Sequence, residues 1–299
     1  MIIVREWAGL GNQLFIYAYY RALQEKNLDA KLDISYFDAL KSHGSGYQIA
    51  EIFPDSRNIY AAAKECKKLA IYQMDGFHRT LRKLGINKKT YLSQTKKYHS
   101  TGYDLEMAEL SGDYYVEGYF QSEKYFRPIA NQIRGELTFT EEIPEAVRLV
   151  EQEIRSSKSV SIHIRRGDYV SKGQGSTADT HYYINAIMEM NKRYPDARYF
   201  VFSDDIPWCK EYFSEQEDVL PKEFSPRYVQ TGAPAWTDMY LMSKCKHNII
   251  CDSTFSWWGG WLNGNQEKTV LVPEQWLFGT DSFRKDDVFP SEWIRVSLD

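Results

Sequence analysis

Two adjacent arginines at the end of an apolar strand are the first chemical feature of this sequence. In Val160-Ser161-Ile162-His163-Ile164-Arg165-Arg166-Gly167-Asp168, the residues Val160, Ile162 and Ile164 alternate with Ser161, His163 and Arg165. A period of two predicts a half-buried strand whose polar face carries His163 and Arg165. Gly167 then breaks the strand and Asp168 opens a loop. Neighbouring guanidinium groups at a strand end are costly to place unless something anionic meets them. That anion is either a phosphorylated ligand or a local aspartate or glutamate, and the motif alone leaves both open.

Two further polar clusters narrow the choice. Ser203-Asp204-Asp205 follows a strand pattern over 198–202, and Asp252-Ser253-Thr254-Phe255-Ser256 follows another over 247–251. Helical patterns over 181–194, 207–213 and 237–244 separate the strands, so this half reads as βα units around a parallel sheet. Ligands of such sheets bind beyond the carboxyl ends of the strands, where all three clusters fall. Arg165 and Arg166 supply cationic forks for a diphosphate. Ser253, Thr254 and Ser256 offer hydroxyls, and a helix starting there offers amides and the positive end of its dipole. Asp204 or Asp205 could accept the paired N–H donors of a guanine edge. No G-x-x-x-x-G-K-[ST] stretch occurs, which excludes a P-loop at the level of motif.

The elements that position these residues begin with a short buried strand over 2–4. The turn Ala8-Gly9-Leu10-Gly11-Asn12-Gln13-Leu14 leads from it into a helix rich in aromatic residues. The third glycine of G-x-G-x-x-G would fall at Leu14, so the dinucleotide fingerprint fails. The turn either brings backbone amides, Asn12 and Gln13 to a ligand or simply joins strand to helix. Beyond it the patterns predict a strand over 32–37, a helix over 60–68, and a strand over 114–120 with Ser122 as the N-cap of the next element. A helix over 144–156 leads back to the arginine strand. The basic stretch over 82–97 reads as a solvated loop, with contact to an acidic membrane surface as a second reading. We place the domains at 1–140 and 141–299, with a last helix crossing back.

At 299 residues, with 43% hydrophobic and 26% charged residues, the chain is long enough for two folded domains. A net charge of -4 argues against general nucleic-acid binding, so any anion site must be local. The 22 tyrosines and 8 tryptophans provide flat apolar faces with polar edges, which suit sugars. Cys66, Cys209, Cys245 and Cys251 form no CxxC pair and match no metal-site spacing, as expected of reduced thiols in a cytosol. The chain opens without the basic start and apolar core of a signal peptide, and it lacks a run of about 18 apolar residues, so no transmembrane segment is expected.

His163-Ile164-Arg165-Arg166-Gly167-Asp168 resembles the H-x-R-R-x-D motif of the α-1,2-fucosyltransferases of glycosyltransferase family 11. These belong to a superfamily that also holds α-1,6- and protein O-fucosyltransferases. The stretches 9–15, 118–126, 202–205 and 253–258 are similar to the family's other signatures, in the family's order. The resemblance covers nearly the whole chain, and the combination of motifs is highly specific. One departure is Asp252, where many relatives carry Asn, so its charge is expected to point away from a diphosphate. The resemblance implies a GT-B fold of two Rossmann-like domains facing across a cleft, the first on the acceptor side and the second binding GDP-fucose. It implies inverting, metal-independent transfer of L-fucose from GDP-β-L-fucose to the 2-hydroxyl of a terminal β-galactoside in an O-antigen, capsule or oligosaccharide. It further implies a bacterial cytoplasmic enzyme, with peripheral contact at the inner membrane as an additional expectation.

By the same analogy Arg165 would hold the β-phosphate with Arg166 assisting, and Ser253, Thr254 and Ser256 would complete the grip. His163 and Asp204 would position guanosine, and Asn12 would reach the fucose from the first domain. Asp168 is either the general base or a structural partner of Arg165. Two rival readings remain. A metal-dependent glycosyltransferase could use Asp204 and Asp205 as a metal site, and a non-catalytic carbohydrate-binding protein would need no nucleotide grip at all.

Overall fold

Parallel pairing governs how this sequence folds, and the computed structural model describes it for residues 1–39, 46–73, 75–95, 101–167, 177–276 and 287–299. Packing divides the chain into two units, Met1–Thr140 with Thr280–Val288, and Glu141–Gly279 with Phe289–Asp299. Among the described residues of the first unit, β1 (Ile2–Arg5), β2 (Ala30–Asp33), β3 (Tyr91–Ser93) and β4 (Tyr114–Glu117) form a sheet in the order β2-β1-β4-β3. Those of the second, β5 (Ser159–Ile164), β6 (Arg198–Ser203), β7 (Arg227–Tyr228), β8 (His247–Ile249), β9 (Val270–Pro273) and β10 (Ile294–Val296), run in the order β10-β9-β8-β5-β6-β7. Every pairing is parallel. Both units are thus Rossmann-like, as βα alternation requires.

The arginine strand corrects one expectation. β5 lies between β6 and β8, and all six of its residues are buried, including Ser159, Ser161 and His163. Alternation here marks two covered faces rather than one wet face, because helices pack on both sides of a parallel sheet. The buried polar residues are matched: Ser161 Oγ accepts from Asn248 Nδ2 at 2.7 Å. Six registered pairs bind β5 to β6, ending with Ile164 opposite Ser203. That register brings Arg165 and Asp204 to the same edge.

In the first unit, helix Leu10–Glu25 packs an almost wholly buried face that includes Leu14, Phe15, Tyr17 and Leu23. The strand expected over 32–37 stops at Asp33, whose Oδ1 accepts from Ser35 N at 2.9 Å and opens a helix, Ser35–Ala39. The helix expected over 60–68 is Ala63–Leu69, since Tyr60 bridges to Leu32. The basic stretch over 82–97 is not a plain loop. Helix Gly76–Lys83, capped by Asp75 on His78 N at 3.1 Å, runs into it, and β3 follows. The described element nearest the C-terminus is strand β10, seated on β9, and residues 277–286 before it lie outside the described residues.

Candidate functional site

The carboxyl ends of β5 and β6 assemble the arginine site. Arg165 Nη1 lies 2.9 Å from Asp204 Oδ2. The same carboxylate accepts from the backbone amides of Arg166 at 3.0 Å and Gly167 at 3.1 Å. A Cβ at Gly167 would lie 2.7 Å from Asp204 Oδ2, so any side chain there would displace that carboxylate. Arg166 turns elsewhere. Its Nε lies 3.3 Å from Asp205 Oδ2 and its guanidinium sits 4.0 Å over the Trp208 ring. Asp205 also caps helix Ile206–Glu215 by accepting from Trp208 N at 3.2 Å.

Each arginine is thus met by a local aspartate, Arg165 by Asp204 and Arg166 by Asp205. Arg166, 17% exposed, is held by Asp205 and Trp208. Arg165 is 39% exposed and is oriented by Asp204. Asp204, expected to position guanosine, accepts with both oxygens from the arginine turn. Asp204 and Asp205 each face an arginine, an arrangement poorly suited to holding a cation between them. Among the described residues no group of three or more His, Cys, Asp or Glu is placed to hold a metal.

His163 lies beneath this edge, buried, with Nδ1 3.4 Å from Cys251 Sγ and its ring 5.5 Å from that of Phe255. Burial, reinforced by the Arg165 charge, pushes its imidazole down to about 4, so it is neutral near pH 7. The loop after β8 supplies the remaining candidates. Ser253 is the N-cap residue of helix Thr254–Trp261, with Thr254 half-exposed at the helix start. Ser256 is turned inward, its Oγ accepting from Cys251 N at 3.1 Å, so it shapes the loop rather than facing a ligand. Asp252 is buried and accepts from Thr177 Oγ1 at 3.2 Å, so its carboxylate does point into the protein. Gly259 lets this helix approach helix Trp236–Lys244, since a Cβ there would lie 2.7 Å from Met242 Cε.

In the first unit Asn12 is half-exposed and its Oδ1 accepts from Gln121 Nε2 at 2.9 Å. Gln13 is buried instead of facing a ligand. Its Nε2 donates to the carbonyls of Ala8 and Gly46, each at 3.0 Å, and its Oε1 accepts from Gln48 N. Asp168 lies outside the described residues. One titratable group escaped the sequence reading. Asp238, in the first turn of helix Trp236–Lys244, is pushed up by burial to about 7. Nothing in its local pattern sets it apart from an ordinary helix-start aspartate.

Comparison with known proteins accords with this geometry. The profile described as Glycosyl transferase family 11 matches residues 2–297. An alpha-1,2-colitosyltransferase of Escherichia coli is 32% identical, covering 99% of this chain and 99% of its own. The O-antigen biosynthesis glycosyltransferase WbnK of Escherichia coli is 29% identical over 96% and 98% of the two chains. A galactoside alpha-(1,2)-fucosyltransferase 1 of Saimiri boliviensis boliviensis is 27% identical over 65% and 56%. Among solved structures, POFUT1 in complex with GDP-fucose superposes with a TM-score of 0.52 at 12% identity, over 91% of this chain and 97% of that one. Fucosyltransferase NodZ from Bradyrhizobium gives 0.51 at 14%, over 86% and 91%. These likenesses place the fold in the GT-B class.

Proposed function

We propose, since this chain belongs to glycosyl transferase family 11, that it transfers L-fucose from GDP-β-L-fucose to the 2-hydroxyl of a terminal β-galactoside, with inversion and without a metal. The observation that carries this reading is the Asp204-anchored, partly exposed Arg165 at the carboxyl end of β5. As the bond from fucose to phosphate breaks, the sugar becomes oxocarbenium-like and negative charge builds on the GDP oxygens. A fixed guanidinium aimed at that charge lowers the barrier without reorganising, an effect worth several kcal/mol in a dry site. Arg165 is the β-phosphate ligand in this reading, Asp204 and Gly167 are its positioning residues, and Arg166 braces the turn against Trp208. Ser253, Thr254 and the amides opening helix Thr254–Trp261 complete the grip. His163 is a neutral wall beneath the nucleotide.

The acceptor hydroxyl needs its proton removed only late, because the attacked carbon is already cation-like, so a modest base suffices. The enzyme would work on the cytoplasmic side of a bacterial envelope in building an O-antigen, capsule or oligosaccharide. Peripheral membrane contact is favoured by Phe77 and Leu84, each 69% exposed, beside Arg79, Lys83 and Lys89. Among the described residues no helix is long and apolar enough to cross a membrane.

A second donor is favoured by the 32% identical colitosyltransferase, since colitose differs from fucose only in lacking the 3-hydroxyl. The test offers GDP-fucose and GDP-colitose separately to β-galactosides, with and without EDTA, and determines the product linkage. An α-1,2-fucosylated galactoside formed equally well in EDTA is expected. Colitosyl product alone would move the donor assignment, and activity lost to EDTA but restored by a divalent cation would overturn the metal-free reading.

A further inference from the structure

The first unit carries, within its own residues, a cluster that the nucleotide grip leaves unused. β1 pairs with β2 so that Arg5 lies opposite Asp33, and with β4 so that Val4 lies opposite Val116, which sets Arg5 and Glu117 side by side at the carboxyl edge of the two central strands. Arg5 is ion-paired with Glu117, and its guanidinium lies 5.6 Å from the centroid of the Tyr36 ring. Just beyond that edge the Trp7 ring is 4.4 Å from that of Tyr119, tilted by 32°. Tyr36 stands edge-on to Trp7 at 6.3 Å and 75°. All three rings are half-exposed.

These rings are held in place. Trp7 Nε1 donates to the Gly118 carbonyl at 3.0 Å. The buried Gln94 accepts through Oε1 from the amides of Tyr119 at 2.9 Å and Phe120 at 3.0 Å. Gly118 must be glycine, for a Cβ there would lie 2.7 Å from Gln94 Cβ. The loops that present Trp7 and Tyr119 each contain a non-glycine residue in the left-handed region, Ala8 at φ 68° and Phe120 at φ 50°. Such conformations cost on the order of 1–3 kcal/mol and persist where surrounding structure enforces them, commonly at binding sites.

We propose that Trp7, Tyr36 and Tyr119 form a stacking platform for one pyranose ring of the acceptor glycan, with Glu117 and Arg5 at its rim as hydroxyl partners. This rests on the glycosyltransferase reading and adds to it the residues that hold the acceptor. A β-galactopyranoside has one face rich in C–H bonds, which packs on aromatic rings, and an edge of hydroxyls that both donate and accept. The rim supplies a carboxylate to accept and a guanidinium to donate. Rings already fixed by Gly118 and Gln94 lose little freedom on binding.

Saturation-transfer NMR on the full chain with methyl β-D-galactoside and lactose tests this, comparing wild type with Trp7→Ala, Tyr119→Ala and Trp7→Phe. Wild type should bind both sugars. Each alanine variant should weaken binding by roughly tenfold or more, whereas Trp7→Phe should retain most of it. The thermal shift produced by GDP should be the same in all four proteins, which shows that the variants are folded. Sugar binding undiminished in both alanine variants, or absent in wild type, overturns the platform. A failure of the function reading is distinguishable: galactoside binding lost in Trp7→Ala, with no galactoside fucosylated by wild type, leaves the platform standing and removes the proposed reaction.

Discussion

The carboxylate of Asp204 joins Arg165 to the backbone that follows it, taking Nη1 of Arg165 at 2.9 Å on the oxygen that also receives the Gly167 amide at 3.1 Å. Side chain and turn are thereby oriented by one group from the neighbouring strand. If Arg165 meets the developing phosphate charge, Arg165→Ala should lower transfer by about 10²–10³ or more while leaving thermal stability nearly unchanged. Arg165→Lys should not restore it, because an ammonium cannot keep both Asp204 and a phosphate in the fork geometry. Asp204→Asn should cost less than loss of the arginine, with most of the effect in the KM for the nucleotide sugar. Steady-state kinetics and melting curves on the three variants check the order. Activity of Arg165→Ala near wild type would sink the assignment.

Gly167 offers a sharper test because the substitution is small. A methyl group 2.7 Å from Asp204 Oδ2 must push that carboxylate off the two amides it accepts from. Gly167→Ala should therefore resemble Asp204→Asn in its kinetics, and combining the two should cost little more than either alone. Fully additive losses would show that the glycine acts through some other contact.

Much of this site is legible in the sequence alone. Residue type marks the arginines, the aspartate pair and the serine–threonine loop, and βα alternation sets them after strands, where β5, β6 and β8 carry them. Their division of labour was not legible. Which aspartate meets which arginine depends on the β5–β6 register, which sets Ile164 opposite Ser203, and on Trp208 from the next helix. Local pattern could not show that His163 is covered, since polar residues alternate just as well on a strand buried on both faces. The weakest reading fell on the short elements. β3, β9 and β10 have three or four residues each, too few to establish a period. Local pattern reads Tyr119 only as part of a strand over 114–120, whereas β4 ends at Glu117 and its stacking partner Trp7 comes from a loop more than a hundred residues away in sequence.

His163 gives the protein an acid-sensitive point. Its imidazole titrates near 6.5 when unfolded but only near 4 in the folded chain, where burial and Arg165 keep it neutral. The unfolded state thus binds the extra proton first, and stability falls as pH drops from about 6.5 to 4, by up to roughly 3 kcal/mol. Urea unfolding at stepped pH should show this limb in wild type and a shallower one in His163→Gln. Equal slopes in the two proteins would place the acid sensitivity elsewhere.

Glu6 makes the opposite prediction. It follows β1 directly, is fully buried, and neither carboxylate oxygen has a hydrogen-bond partner among the described residues. Burial raises its carboxyl well above the usual glutamate range, so the native protein holds it protonated while the unfolded chain ionises it from about pH 4.5 upward. Stability must then decline as pH rises from that point toward the folded value. Replacing Glu6 by leucine removes both the decline and the cost of an unpartnered polar group, about 1–3 kcal/mol. Glu6→Leu should therefore unfold at higher urea than wild type at pH 8, with a smaller advantage at pH 5. A variant less stable than wild type at pH 8 would mean that this carboxyl gains interactions in solution that offset its burial.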